Sequence, residues 1–307
     1  MRELFNLPEF GAHLTFKGGT SLSKAWKLIA RFSEDIDIVI GRDSLGFPED
    51  TLSKNRQKKL IKACKTHIHE QLKPALEARF REVLPALMKW SLIPASVEED
   101  SEQQTLLFHY PSVVVGPADY LNPWVKIELG ARSDTEPSEL PAIQSYLNEA
   151  LPTALGEGFF NVRTVSARRT FWEKAMLLHE ESYRPPEKRR KARMARHYYD
   201  LWCLIEKGIA EQATAVGGLF ERVAAHREIF FGQNWVDYAT LRPGSLHLLP
   251  TADQVASRRS DYEAMREHMF FGDVPTFDEI LNVVSEFEGH FNQLALSRPR
   301  RSDPLEL

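Results

Sequence analysis

The chain has 307 residues, 43% hydrophobic and 27% charged, with 39 basic against 43 acidic side chains and a net charge of −4. This composition supports a sizeable core and excludes wholesale disorder and a histone-like excess of positive charge, but not a local basic patch. Two cysteines, Cys64 and Cys203, are too few for a disulfide framework or zinc cluster; with no signal-peptide pattern and no apolar run of about 20 residues, a cytoplasmic protein of two domains without a membrane partner is expected.

In chain order, Leu14–Phe16 reads as a short strand broken by Gly18-Gly19, and Thr20–Ala30 has helical spacing. Asp35–Ile40 alternates and then turns apolar, as a mostly buried strand does; Gly41–Asp50 is a loop. Residues Lys54 to about Trp90 predict one or two helices, interrupted near Pro74 and Pro85. Strands are expected at Thr105–Tyr110 and Trp124–Leu129, a short helix at Ala142–Ala150, and a strand at Val162–Val165. Beyond about Ser166 the pattern is helical: Thr170–Tyr183, Ala192–Lys207, Glu211–Arg227, Asp253–Phe270 and Phe277–Phe291. The tail from Ser297 is rich in Pro and Arg and expected to fray. The domain boundary falls near residue 165, giving 1–165 and 166–307.

Two stretches carry chemistry. In Lys17-Gly18-Gly19-Thr20-Ser21-Leu22-Ser23-Lys24, the glycines permit a positive-φ turn with uncovered N–H groups, and Thr20 or Ser21 can cap the helix. Such a corner favours a phosphate, although it lacks the Gly-Lys-Ser/Thr ending of a Walker A loop. Taken alone it is also an ordinary strand–turn–helix corner. In Arg31-Phe32-Ser33-Glu34-Asp35-Ile36-Asp37, the two aspartates share one strand face, about 6.5–7 Å apart by rise. Two carboxylates at close range need solvent, a proton, a base or a divalent cation to offset their repulsion, and hard oxygen ligands beside a phosphate turn suit Mg²⁺ or Mn²⁺. Glu128, on the polar side of Val125–Leu129, is the candidate third carboxylate. Turn and carboxylates together follow the logic of metal-assisted nucleotidyl transfer. Ser33 is a nucleotide contact, a modification site or a strand-start cap. Cys64 and Cys203 sit among apolar neighbours and read as core, and the histidines show no metal spacing.

In order, Phe16–Lys24 and Arg31–Asp37 resemble the AbiEii/AbiGii-type nucleotidyltransferases of the DNA polymerase β-like superfamily, to which the MenT toxins are related. Two further stretches resemble the family's later motifs. Thr170–His179 places Lys174 at a motif lysine, and Arg196-His197-Tyr198-Tyr199-Asp200 places Asp200 at a motif aspartate. The likeness spans residues 16 to about 205. It implies an α+β fold, a polymerase β-like palm of mixed sheet and helices followed by a helical bundle, with an NTP and metal held between them. It implies a toxin of a type IV toxin–antitoxin or abortive-infection system, with a cognate antitoxin and an RNA acceptor, a tRNA 3′ end. Gly18, Gly19, Thr20, Ser21, Lys24 and Ser33 would then surround the nucleotide, Asp35, Asp37 and Glu128 the metal, and Lys174 the triphosphate. Asp200 would position Lys174 or the nucleotide, or assist the acceptor hydroxyl. Relatives usually carry a longer helical segment before this first strand; Leu4, Phe5, Leu7 and Phe10 are candidates for its remnant.

Six of the ten residues from Lys188 to His197 are basic and none is acidic: Lys188, Arg189, Arg190, Lys191, Arg193 and Arg196. Cations at a helix start are disfavoured by the helix dipole, so the run points to a polyanion, RNA before nucleotide phosphate, with a solvated surface as the plain alternative. Rival functions are transfer to a protein or small molecule, kinase-like phosphotransfer at the same site, or a catalytically silent binding module.

Overall fold

The computed structural model describes residues 1–33, 35–48, 51–111, 124–155, 158–188 and 193–297, the side chains of 154–155, 267–268 and 295–297 excepted. The chain divides into two compact units: Met1–Thr170 with His268–Phe271, and Phe171–Glu267 with Gly272–Leu307.

The first unit is built on a mixed sheet. Its strands are β1 (Leu14–Lys17), β2 (Asp35–Ile40), β3 (Ser91–Pro94), β4 (Thr105–His109), β5 (Trp124–Gly130), β6 (Ser138–Glu139) and β9 (Thr164–Val165), in spatial order β3-β4-β5-β2-β1-β9-β6. A separate hairpin pairs β7 (Ala142–Ile143) with β8 (Phe160–Asn161). β2 runs antiparallel to β1 but parallel to β5. The two-residue period then sorts the side chains. Ile38, Ile40, Leu92, Leu106, Ile127 and Leu129 share one face and are buried. On that same face Phe16 packs with Ile143 and Val162, and Ile36 joins them. The opposite face carries Lys17, Asp35, Asp37, Lys126 and Glu128, all only partly buried.

Several elements differ from the sequence expectation. The helix after the glycines runs Gly18–Lys24 and ends well before Ala30. Lys27 takes a left-handed φ of 53°, and the chain leaves the helix so that Ala30 O and Phe32 N bond Phe271 N and Met269 O. Pro74 does not break its helix. Lys54–His67 continues through a π-helical turn at Ile68–Leu72 into Lys73–Val83, and the wider turn accommodates a proline that can neither donate nor tolerate the carbonyl four residues back. β3 was not foreseen. Within the expected helix Ala142–Ala150, Ala142–Ile143 is strand and only Tyr146–Ala150 is helical.

The second unit is helical: Ala167–Ser182 from Phe171 onward, then Ala195–Glu206, Ile209–Ala215, Leu219–Phe231, Ala252–Met269 as far as Glu267, and Phe277–Ser297. The expected helix Glu211–Arg227 is two helices, split where Gly218 adopts φ +76°. Trp172 is fully buried and packs edge-on against Phe220, ring centroids 4.9 Å apart, with Phe287 and Phe291 beside it. No helix among the described residues is long and apolar enough to cross a membrane.

Candidate active site

Lys17 is extended, and Gly18 turns the chain with φ +78°. A Cβ on Gly18 would lie 2.0 Å from Asp37 Oδ2, so this position is glycine for two reasons: the dihedral and the carboxylate packed against it. A Cβ on Gly19 would meet Arg31 Nη2 at 2.6 Å and Ser33 Oγ at 3.3 Å. Arg31 is buried and donates from Nη1 to Phe32 O at 3.0 Å. Thr20 and Ser21 do not cap the helix, which starts earlier, at Gly18. Instead the Thr20 hydroxyl donates to Asp35 O, tying the turn to the start of β2. The buried Ser21 hydroxyl donates to Gly18 O at 2.8 Å. The Lys24 ammonium lies over the Tyr146 ring and has no hydrogen-bond partner among the described residues. Burial brings its pKa down to about 8.

The register of β1, β2 and β5 brings the carboxylates together. Asp37 is paired with Lys17 on β1 and with Glu128 on β5, and Asp35 with Lys126. Burial, the neighbouring Glu128 charge and a hydrogen bond to Glu128 push the Asp37 carboxyl up from 3.8 to about 7, against the pull of Lys17. Lys17 donates to Ser133 Oγ at 2.8 Å. Lys126 is in direct contact with Glu128 Oε1. Burial works against its charge, but the bond to Glu128 and the charges of Glu128, Asp35 and Asp37 prevail and hold the ammonium above its ordinary value. Neither lysine was singled out from the sequence. Lys126 stands one strand step before Glu128, and that i, i+2 relation was the signal available.

The donor set fits a hard divalent cation: carboxylate oxygens on adjacent strands, one of them pushed toward its neutral form by burial and by the Glu128 charge beside it. Among the described residues, no three His, Cys, Asp or Glu side chains already stand together as a metal cluster. Further along the carboxylate-bearing face lies a cavity of about 290 Å³, lined by Thr15, Val39, Arg42, Ser133 and Arg163 among others.

In the second unit, Lys174 Nζ lies 2.7 Å from Asp200 Oδ2, the side chains 8% and 0% exposed. Both stand on helices, Ala167–Ser182 and Ala195–Glu206, whose Phe171, Met176, Leu178 and Leu201 are likewise buried. Of the basic run, Arg189, Arg190 and Lys191 lie outside the described residues. Lys188 is exposed and sets its ammonium 4.5 Å from the centre of the Trp235 ring. Arg193 is exposed with φ +56°, and Arg196 is half-buried one turn before Asp200.

Residues 1–283 match the family described as nucleotidyl transferase AbiEii toxin, type IV TA system. The chain belongs to the AbiEii family. Membership makes it a nucleotidyltransferase toxin of a type IV toxin–antitoxin system, with an NTP substrate and a cognate antitoxin. The match extends well beyond the stretch 16–205 in which the motifs were read, and takes in most of the helical part. JHP933 from Helicobacter pylori is similar in structure, with 15% identity and a TM-score of 0.45 over 96% of this chain and 89% of that one. MenT4, a nucleotidyltransferase toxin from Mycobacterium tuberculosis, gives 18% identity and a TM-score of 0.43 over 97% and 90%. Comparison with curated proteins finds no match.

Proposed function

We propose that this AbiEii protein transfers a nucleoside monophosphate from an NTP to an RNA hydroxyl, that of a tRNA 3′ end, in the cytoplasm. The acceptor oxygen forms a bond to the α-phosphorus, the bond from that phosphorus to the bridging oxygen breaks, and pyrophosphate leaves. The observation that carries the reading is the register that sets Asp37 opposite Glu128, with Asp35 on the same face of β2. Asp35, Asp37 and Glu128 would hold Mg²⁺ or Mn²⁺. Bound there, the ion would neutralise the triphosphate and make the α-phosphorus more electrophilic. Gly18 and Gly19 let the backbone approach the phosphates closely, with Thr20 and the buried Ser21 fixing the turn; Lys24 and Ser33 are the further nucleotide contacts of this reading.

In this reading residues 1–165 form the palm and 166–307 the helical domain. Lys174 neutralises triphosphate charge, and Asp200 fixes the lysine. The basic residues Lys188–Arg196 supply phosphate contacts for the RNA.

Incubation with NTPs labelled at the α- or γ-position, together with total RNA, tests the reading. Label from the α-position in RNA supports it, and its loss with Asp35→Ala ties it to the carboxylates. Label in protein or a small molecule would redirect the acceptor, and γ-label in the product would make the reaction a phosphotransfer.

A further inference from the structure

The transfer reaction as described has no place for Lys126. Its ammonium rests on Glu128 Oε1, and its register partner on the adjacent strand is Asp35. Lys126 therefore already serves as a cation at the carboxylates, and engages the one that would complete a three-ligand set. The two side chains are 34% and 40% exposed, so the contact is open to the face where a nucleotide would arrive. A lysine on its flexible stem is a mobile point charge. One ammonium cannot satisfy both a carboxylate and an incoming triphosphate, and the triphosphate carries more charge.

We propose that Lys126 is an exchangeable counter-cation, which holds Glu128 until a nucleotide arrives and then moves to the phosphates, freeing Glu128 to join Asp35 and Asp37 around a divalent cation. The inference rests on the nucleotidyl-transfer reading of this site. It makes Lys126 a positioning residue for the metal, acting through Glu128, and it couples metal and nucleotide binding. Without nucleotide the lysine competes with the metal for Glu128; with nucleotide that competition ends. Such coupling is reciprocal and commonly amounts to about 5–150-fold.

The test uses the full chain and needs no turnover. Free Mn²⁺ is followed by electron paramagnetic resonance during titration without nucleotide. Lys126→Met is expected to bind Mn²⁺ about tenfold more tightly than the unaltered protein, and Lys126→Arg to stay close to it. The gain should vanish in Lys126→Met/Glu128→Gln. At saturating Mn²⁺, Lys126→Met should bind a non-hydrolysable NTP analogue several-fold more weakly. A merely structural lysine would shift both affinities in the same direction. Mn²⁺ binding by Lys126→Met that is no tighter, a gain that survives Glu128→Gln, or unchanged analogue binding overturns the proposal. Asp37→Ala separates the two levels. If it leaves Mn²⁺ binding intact, the carboxylate reading of the site fails as well; if it weakens binding while Lys126→Met gains nothing, the exchange alone fails.

Discussion

Asp37 and Glu128 stand opposite each other on the parallel neighbouring strands β2 and β5, two carboxylates in one register pair. Burial, with the Glu128 charge beside it, pushes the Asp37 carboxyl up to about 7. Above that pH, the free site is a strained assembly of negative charge.

This strain gives a pH-dependent stability. A carboxyl raised from 3.8 to about 7 stabilises the folded state fully below 3.8, and the contribution disappears as pH rises through about 7. Thermal denaturation in EDTA between pH 4 and 8 should show the unaltered protein losing several degrees relative to Asp37→Asn. The same substitution should lower nucleotidyl transfer on the order of 10³-fold or more. Parallel melting curves for the two proteins would count against the shift.

Gly18→Ala should be far costlier than Gly19→Ala. The Gly18 position combines φ +78° with a 2.0 Å approach to a carboxylate, whereas the nearest obstacle at Gly19 is the far end of the Arg31 side chain. A left-handed dihedral alone costs about 1–3 kcal/mol in such settings. Urea unfolding should rank the two variants, and Gly18→Ala should also lose activity because Asp37 is displaced.

The buried pair Lys174–Asp200 predicts a non-additive mutant cycle. Lys174→Met or Asp200→Leu alone removes one member of a buried ion pair and should cost about 3–5 kcal/mol. The double variant should recover a large part of that in chemical denaturation while remaining inactive. Full recovery of activity would remove both residues from the chemistry.

Lys188→Ala and Arg193→Ala should each reduce the slope of log affinity for RNA against log salt by nearly one, leaving the KM for NTP unchanged. A raised KM for NTP with an unchanged RNA slope would assign these cations to the nucleotide instead.

Much of this was legible in the sequence because periodicity and residue type agreed. Asp35–Ile40 alternates and then turns apolar, and it forms β2 as expected. Trp124–Gly130 puts Ile127 and Leu129 on the buried face and Glu128 on the other. What escaped was decided by tertiary contacts. Ser91–Pro94 is too short and too exposed to show a pattern, and is a strand only because it pairs with β4. The helix stops at Lys24 because the following segment pairs with residues near Phe270 far along the chain. Lys126 carries no signal of its own beyond its i, i+2 spacing from Glu128. Its part in the site comes from the β2–β5 register, which local sequence does not encode.

That register also has a consequence for synthesis. β2 and β5 are neighbours in space, but β3 and β4 come between them in the chain. A chain released before β5 would carry Asp35 and Asp37 without Glu128 or Lys126. Closing so long a loop is slow compared with local helix formation. The aspartates emerge early in synthesis, and the residues that complete their charge balance arrive only when the centre of the sheet closes.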